Sequence, residues 1–203
     1  GPRAGMDQTA QSHAAPSTVQ PLSALEEFRF EAGVSAVALT LTSGKAEMLG
    51  SEMVMLRAYS FTNTQQAVFS WHGCSLEISG QPVHSYVAKE TPMASYLELH
   101  VELEKRRANA RASGAAGPRV LVAGPTDTGK SSVCRLLANY LTRCGNSTIL
   151  IDLDFGQGEM TVPGCVTAVP IHRPLQIERG TEELSPLTFW FGHPSAAERV
   201  VHL

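Results

Sequence analysis

Eight residues, Gly124-Pro-Thr-Asp-Thr-Gly129-Lys130-Ser131, match the spacing G-x-x-x-x-G-K-[ST] in full. Each position has a chemical reason. The glycines let the backbone curl until successive N–H groups point inward and form an anion nest. A helix starting at the end of the run adds its positive N-terminal end. Lys130 reaches the β- and γ-phosphates of a nucleotide, and the Ser131 hydroxyl is placed to ligand Mg²⁺. Ser132, one step on, faces the α-phosphate. The expected ligand is a nucleoside triphosphate with its metal ion, held by Gly124, Gly129, Lys130, Ser131 and Ser132. The plain alternative is a glycine-containing turn that binds nothing.

A second chemical group follows one helix later in ILIDLDFGQGEMTVPG, Ile149 to Gly164. Asp152 and Asp154 are two apart, so both lean to one side of a strand. Parallel sheets place ligands at the carboxyl ends of their strands, which puts Asp154 nearest the loop. A carboxylate there holds Mg²⁺ through water or accepts a proton from an attacking hydroxyl. Lys130 and Asp154 are thus the candidate catalytic pair, and Ser131 and Asp154 the candidate metal ligands. Gln157, between two glycines, fits a substrate contact or a plain turn equally well.

These groups need a scaffold. Arg119 to Ala123 reads as a short apolar strand into the loop. Ser131 to Cys144 reads as a helix with Val133, Leu136, Leu137, Tyr140 and Leu141 on one face. Thr148 to Leu153 reads as the next strand, and a strand–helix–strand unit of this length predicts a right-handed parallel crossover. Residues 118–203 are therefore expected to form an α/β P-loop domain. Within it, the Phe-Trp-Phe run at 189–191 reads as a buried strand.

Upstream, residues 1–20 are small, polar and proline-containing, and predict a disordered tail. Residues 21–90 alternate apolar and polar in short segments: FRFE, AVALTL, AEML, AVFSW, SLEIS and VHSYV. Turn residues at Thr42–Lys45 and Ser79–Pro82 separate some of them. This predicts a small all-β, sandwich-like domain with Trp71 in its core. Residues 91–117 predict a connecting helix and linker. Thr91 caps the helix, Pro92 takes its first position, and Met93, Tyr96, Leu97, His100, Val101 and Glu104 form its inward stripe. Glu102 and Arg106 pair at i, i+4.

The bulk numbers exclude some classes. The chain has 203 residues, 43% of them hydrophobic, with a net charge of −3, so no global basic field marks a nucleic-acid binder. No apolar run approaches the roughly 20 residues of a membrane-spanning helix, and no membrane partner is expected. The cysteines, Cys74, Cys134, Cys144 and Cys165, make no Cys-x-x-Cys pair, which argues against a zinc centre. They read as reduced thiols.

Together these motifs resemble the polyribonucleotide 5′-hydroxyl kinase family of the pre-mRNA cleavage and polyadenylation machinery. The resemblance rests on GPRVLVAGPTDTGKSSVCRLLANY and IDLDFGQGEMTVPG. It also rests on EFRFE, GKAEMLGSE, VFSWHGCSLEISG and YVAKETPM, in that order. It implies that residues 118–203 are a partial α/β P-loop kinase domain, incomplete at its C-terminal end, with Asp127, Thr128, Gly129, Lys130, Ser131 and Ser132 along the ATP phosphates, ATP and Mg²⁺ as cofactors, and an RNA 5′-hydroxyl as phosphate acceptor. It further implies other pre-mRNA cleavage-factor subunits and tRNA-splicing endonuclease as partners, and a nuclear location. From the first domain, it implies nucleotide contacts by Glu27 and by Gln65, where the family carries a lysine. Some fungal members look like ATP-bound scaffolds without kinase activity, which is the alternative expectation. The family's remaining strands, arginine lid and aromatic base clamp would follow residue 203. The chain is thus expected to be an N-terminal fragment with little or no kinase activity of its own.

Overall fold

The structure, a computed structural model, describes residues 17–195. Nine short strands come first. They are β1 (Ser17–Leu22), β2 (Glu26–Ala32), β3 (Val37–Gly44), β4 (Glu47–Met48), β5 (Ser51–Glu52), β6 (Ala58–Phe61), β7 (Thr64–Ser70), β8 (Cys74–Ser79) and β9 (His84–Ala88). They form two antiparallel sheets, ordered β1-β8-β3-β6 and β5-β4-β7-β2-β9. Alternation explains the packing. Val37, Leu39 and Leu41 of β3, Leu76 and Ile78 of β8, and Phe28 and Phe30 of β2 all point into one shared core. The expected β-sandwich is present.

The sandwich begins earlier than the composition suggests. Ser17–Gln20 belongs to β1, which pairs with β8 from Ser17↔Ser79 to Leu22↔Cys74. A polar segment forms a strand here because ladder hydrogen bonds and the single buried Leu22 hold it. The rest of the expected disordered tail lies outside the described residues. The expected turn at Thr42–Lys45 also shifts, because β3 continues to Gly44 through a bulge between Leu41 and Ser43. Gly44 has φ +77°, and a Cβ there would meet the Gly73 carbonyl oxygen at 2.4 Å. Only glycine fits this close approach.

Two helices follow: α1 (Met93–Ser113) and α2 (Lys130–Arg143). Pro92 occupies the α1 cap rather than its first turn, and the Thr91 hydroxyl accepts the Met93 N–H at 3.4 Å. Met93, His100 and Leu103 are buried, whereas Leu97 and Val101 are exposed. The inward stripe is therefore narrower than the sequence stripe, because α1 packs along one line against α2. Gly114, at φ +68°, ends the helix.

The five-stranded sheet buries its second face as well. Phe69 packs with Met93 and Leu103 of α1 and with Leu136, Leu137 and Tyr140 of α2. Trp71 meets Phe69 edge-to-face at 4.7 Å between centroids, so it is only partly buried, beneath the helices and outside the sandwich core. Glu27 and Glu47 both stand directly opposite Phe69 in the ladders and share its face.

The Glu102–Arg106 pair forms as expected, at 3.1 Å, with both side chains at least half exposed. Solvent screens such a pair, so Arg106→Ala is expected to change stability by less than about 0.5 kcal/mol in a urea titration.

Three more strands complete the described chain: β10 (Thr148–Asp152), β11 (Cys165–Ile171) and β12 (Leu187–Trp190). Here the expected parallel crossover fails. β10 pairs antiparallel with β11, and β11 antiparallel with β12. Arg119–Ala123 joins no ladder among the described residues, and Leu121 is 78% exposed. Apolar, β-branched composition favours a strand only where a neighbouring edge can supply hydrogen bonds. β12 is a strand but is not buried. Phe189 and Trp190 are exposed, and Phe191 stacks on Phe155 at 4.1 Å. No helix among the described residues is long and apolar enough to cross a membrane.

Candidate functional site

The segment Gly124–Gly129 leads directly into α2, whose first residue is Lys130. Gly129 caps the helix at φ +82°, and Asp127 also takes a left-handed conformation at φ +60°. These two left-handed residues turn the chain sharply enough to aim backbone N–H groups into the loop. A Cβ on Gly124 would come within 3.2 Å of the Thr128 hydroxyl, so even one added carbon would push that side chain aside by a few tenths of an ångström. That hydroxyl donates to the Pro125 carbonyl at 2.8 Å, and the Lys130 ammonium donates to the same oxygen at 2.6 Å. A cation, a helix N-terminus and a narrow glycine cradle therefore meet at one point. They fit a phosphate chain.

Nothing lies within 4 Å of a Cβ built on Gly129, so only backbone strain opposes a side chain there. Gly129→Ala is expected to cost roughly 1–2 kcal/mol, the usual penalty for an L-residue in left-handed geometry. Thermal unfolding of the full chain reads it, and an unchanged midpoint would show that the loop relaxes freely.

The acidic end of β10 lies across from the loop. Asp152 accepts the Asp154 N–H at 2.9 Å and the Glu159 N–H at 3.0 Å. Asp154 Oδ1 accepts the N–H groups of Gly156 and Gln157 at 3.0 and 2.9 Å, and neither bond uses Oδ2. Both acids thus shape the loop after β10, and Gln157 serves that turn through its backbone. Glu159 pairs with Arg135 of α2, tying loop and helix together.

A cleft of about 670 Å³ opens between these parts, lined by Gly124, Lys130 and Ser131 on one side and Asp152 and Asp154 on the other. Its walls are apolar, from Val120 to Ala123, Leu150 and Phe155. Cys134 also lines it, and its thiol is pushed up first by burial and then by the charges of Asp152 and Glu159. Lys130, Ser131 and Asp154 are therefore together. Asp127, Thr128, Gly129 and Ser132 stand in the loop or the first turn of α2 without lining the cleft.

Glu27 and Gln65 do not line it either. Glu27 is buried and accepts the Arg29 Nε–H at 2.7 Å, while Gln65 is exposed opposite Glu31. Alternation along β2 and β7 nevertheless puts both on the sheet face that α1 and α2 cover. The sequence reading missed Arg135 and Cys134. Both lie on α2 within two turns of Lys130, and that position was the available signal.

A two-sheet β domain followed by a glycine loop, its helix and an acid-ended strand defines an N-terminal β-sandwich with a P-loop domain. Two family models match in that order. The N-terminal beta-sandwich domain of polyadenylation factor matches residues 21–110, and the mRNA cleavage and polyadenylation factor CLP1 P-loop matches residues 124–203. The chain belongs to this Clp1 family. A Xenopus tropicalis relative, polyribonucleotide 5′-hydroxyl-kinase Clp1, is 44% identical over 183 residues, covering 89% of this chain and 42% of that protein. The Homo sapiens protein of the same name is 42% identical over 189 residues, covering 92% of this chain and 44% of its own length. The chain thus spans less than half the length of these relatives.

Solved structures share the fold. A wild-type Clp1p–Pcf11p complex superposes with a TM-score of 0.77 at 24% identity, covering 89% of this chain and 45% of that one. A second, at 0.78 and 23%, covers the same shares and describes an extended Pcf11p–Clp1p interface and ATP loss in a point mutant.

Proposed function

We propose that this chain carries the ATP-holding part of a polynucleotide 5′-hydroxyl kinase that transfers the ATP γ-phosphate to an RNA 5′-hydroxyl. The observation that supports it best is the meeting of Gly124, Lys130 and Ser131 with Asp152 and Asp154 on one cleft, in a Clp1-family chain. Backbone N–H groups from Asp127 to Ser132 cradle the phosphates, and Lys130 offsets the charge on the transferring group. Ser131 and Asp154 are the residues placed to hold Mg²⁺, which supplies further neutralisation when bound. Asp154, fixed through Oδ1 by two backbone donors, orients or deprotonates the acceptor hydroxyl. Glu27, which shares its carboxylate with Arg29, and Gln65 contact the nucleotide only where it extends beyond the cleft onto the β domain. The proposed setting is nuclear pre-mRNA 3′-end cleavage alongside other cleavage-factor subunits, with tRNA-splicing endonuclease as a further partner.

The experiment is phosphate transfer from labelled ATP to a 5′-hydroxyl RNA by a chain extended to its relatives' length. Labelled RNA is expected, and Asp154→Asn should abolish the label while ATP stays bound. Bound ATP with no label in the unsubstituted chain would sink the kinase reading.

One observation favours the scaffold alternative in that case. Helix α2, which ends the phosphate loop, is fastened to the β domain: Asn139 donates to the Leu49 carbonyl at 2.7 Å, and Arg143 to Glu47 at 2.7 Å. Nucleotide held at the start of α2 therefore acts on a helix that is itself fastened to the β domain. Unchanged partner capture by a Lys130→Ala chain would remove that reading.

A further inference from the structure

On the side of α1 that meets the end of α2, His100, Glu104 and Cys144 converge. None of the three belongs to the phosphate cleft. His100 and Glu104 are four apart on α1, so they stand one turn above the other on the same face. Cys144 is the C-terminal cap of α2. One ligand atom from each residue lies within 4.8 Å of the other two.

We propose that these three side chains form a binding site for a divalent transition cation of the zinc class. The geometry is close to what such an ion needs. The Cys144 sulfur is 3.7 Å from His100 Nε2, against roughly 3.5 Å for a nitrogen and a sulfur on one tetrahedral zinc ion. The Glu104 carboxylate, within 4.8 Å of both, must come closer by up to roughly 1 Å to share the ion. The donor set, one imidazole, one thiolate and one carboxylate, suits zinc or cobalt and discriminates against magnesium, which prefers oxygen ligands.

Two further features support the site. His100 is 7% exposed, and Nε2, the ring nitrogen that faces Cys144, has only the long thiol contact, while Nδ1 has no hydrogen-bond partner among the described residues. A metal ion on Nε2 supplies the strong interaction that this nitrogen lacks, and leaves Nδ1 as it stands. The carboxylate is already oriented from outside. Glu104 accepts from Arg107 at 2.6 Å and from the Asn146 amide at 3.2 Å, as outer partners of metal ligands do. Cys144 is exposed, which gives the ion a way in and leaves the fourth position to water. On binding, the Cys144 thiol releases its proton to solvent and binds as the thiolate. The ion would fasten the helix that leaves the β domain to the far end of the phosphate-loop helix. The sequence shows no zinc pattern because the ligands come from two helices, with Cys144 forty residues beyond Glu104.

The test uses the full chain, reduced, stripped with a chelator and titrated with cobalt(II). One equivalent should bind with a thiolate-to-cobalt charge-transfer band, and zinc(II) should bleach it. Cys144→Ser is conservative at an exposed position, so the fold should hold, as circular dichroism can verify. That variant should lose the band and bind cobalt at least tenfold more weakly. His100→Gln and Glu104→Gln should weaken binding while leaving a thiolate band at excess metal. No band at one equivalent, or a band that survives Cys144→Ser, overturns the proposal.

Discussion

Lys130→Ala is expected to weaken ATP binding by roughly 10- to 150-fold, and not to abolish it. A hydrogen bond to a charged group contributes about 1.5–3 kcal/mol, which sets that range. The remaining affinity comes from backbone N–H groups and the α2 N-terminus, which the substitution leaves in place. The loop should survive too, because the Thr128 hydroxyl still donates to Pro125 at 2.8 Å when the lysine bond is gone. Titration calorimetry with MgATP reads the affinity, and the thermal midpoint of the nucleotide-free chain reads the fold. A loss under threefold would mean that the ammonium stays on the Pro125 carbonyl and does not turn to phosphate. Lys130→Arg is a useful companion, since a wide planar guanidinium does not substitute for a compact ammonium in a narrow cradle.

The loop was legible in the sequence because its demands are local. Left-handed backbone at Gly129, a small residue at Gly124 and a cation at the start of a helix are fixed by neighbours a few positions away. The strands of the sandwich were legible for a related reason: alternation at Val37, Leu39 and Leu41 needs only one buried face. Legibility failed where a partner far along the chain decides the outcome. Arg119–Ala123 has strand composition and no ladder, while Ser17–Gln20 has tail composition and a ladder with β8. Composition reports what a segment tolerates, and an adjacent edge decides what it does. The same holds for Asp152 and Asp154. Their spacing placed them on one side of the expected strand, but β10 ends at Asp152, and their hold on N–H groups between residues 154 and 159 is a property of the folded turn.

The contact that links the two halves of the molecule was the least legible, and it carries the largest expected stability effect. Glu47 is 3% exposed on β4, under α2. Arg143, at the last turn of α2, donates to it at 2.7 Å, donates to the Gly50 carbonyl at 3.0 Å and also pairs with Glu52. The Tyr140 hydroxyl donates to the other Glu47 oxygen. Burial first, and then the Glu47 carboxylate, push the tyrosine well above its ordinary range, so it stays protonated and remains a donor. Arg143→Ala leaves a desolvated carboxylate with Tyr140 as its remaining side-chain donor. Breaking a buried pair from one side costs roughly 3–5 kcal/mol. Arg143 is 30% exposed, which argues for the lower end, about 3 kcal/mol by urea denaturation. That is more than a hundredfold in the folding equilibrium, against almost nothing for Arg106→Ala. The cause is the stranded charge, so Glu47→Gln should cost less than Arg143→Ala, and Glu47→Gln should recover part of the loss when added to it. Additive losses in the double variant would show that the arginine acts by packing its stem on α2. In that case the charge pair would not be what holds the phosphate-loop helix to the β domain.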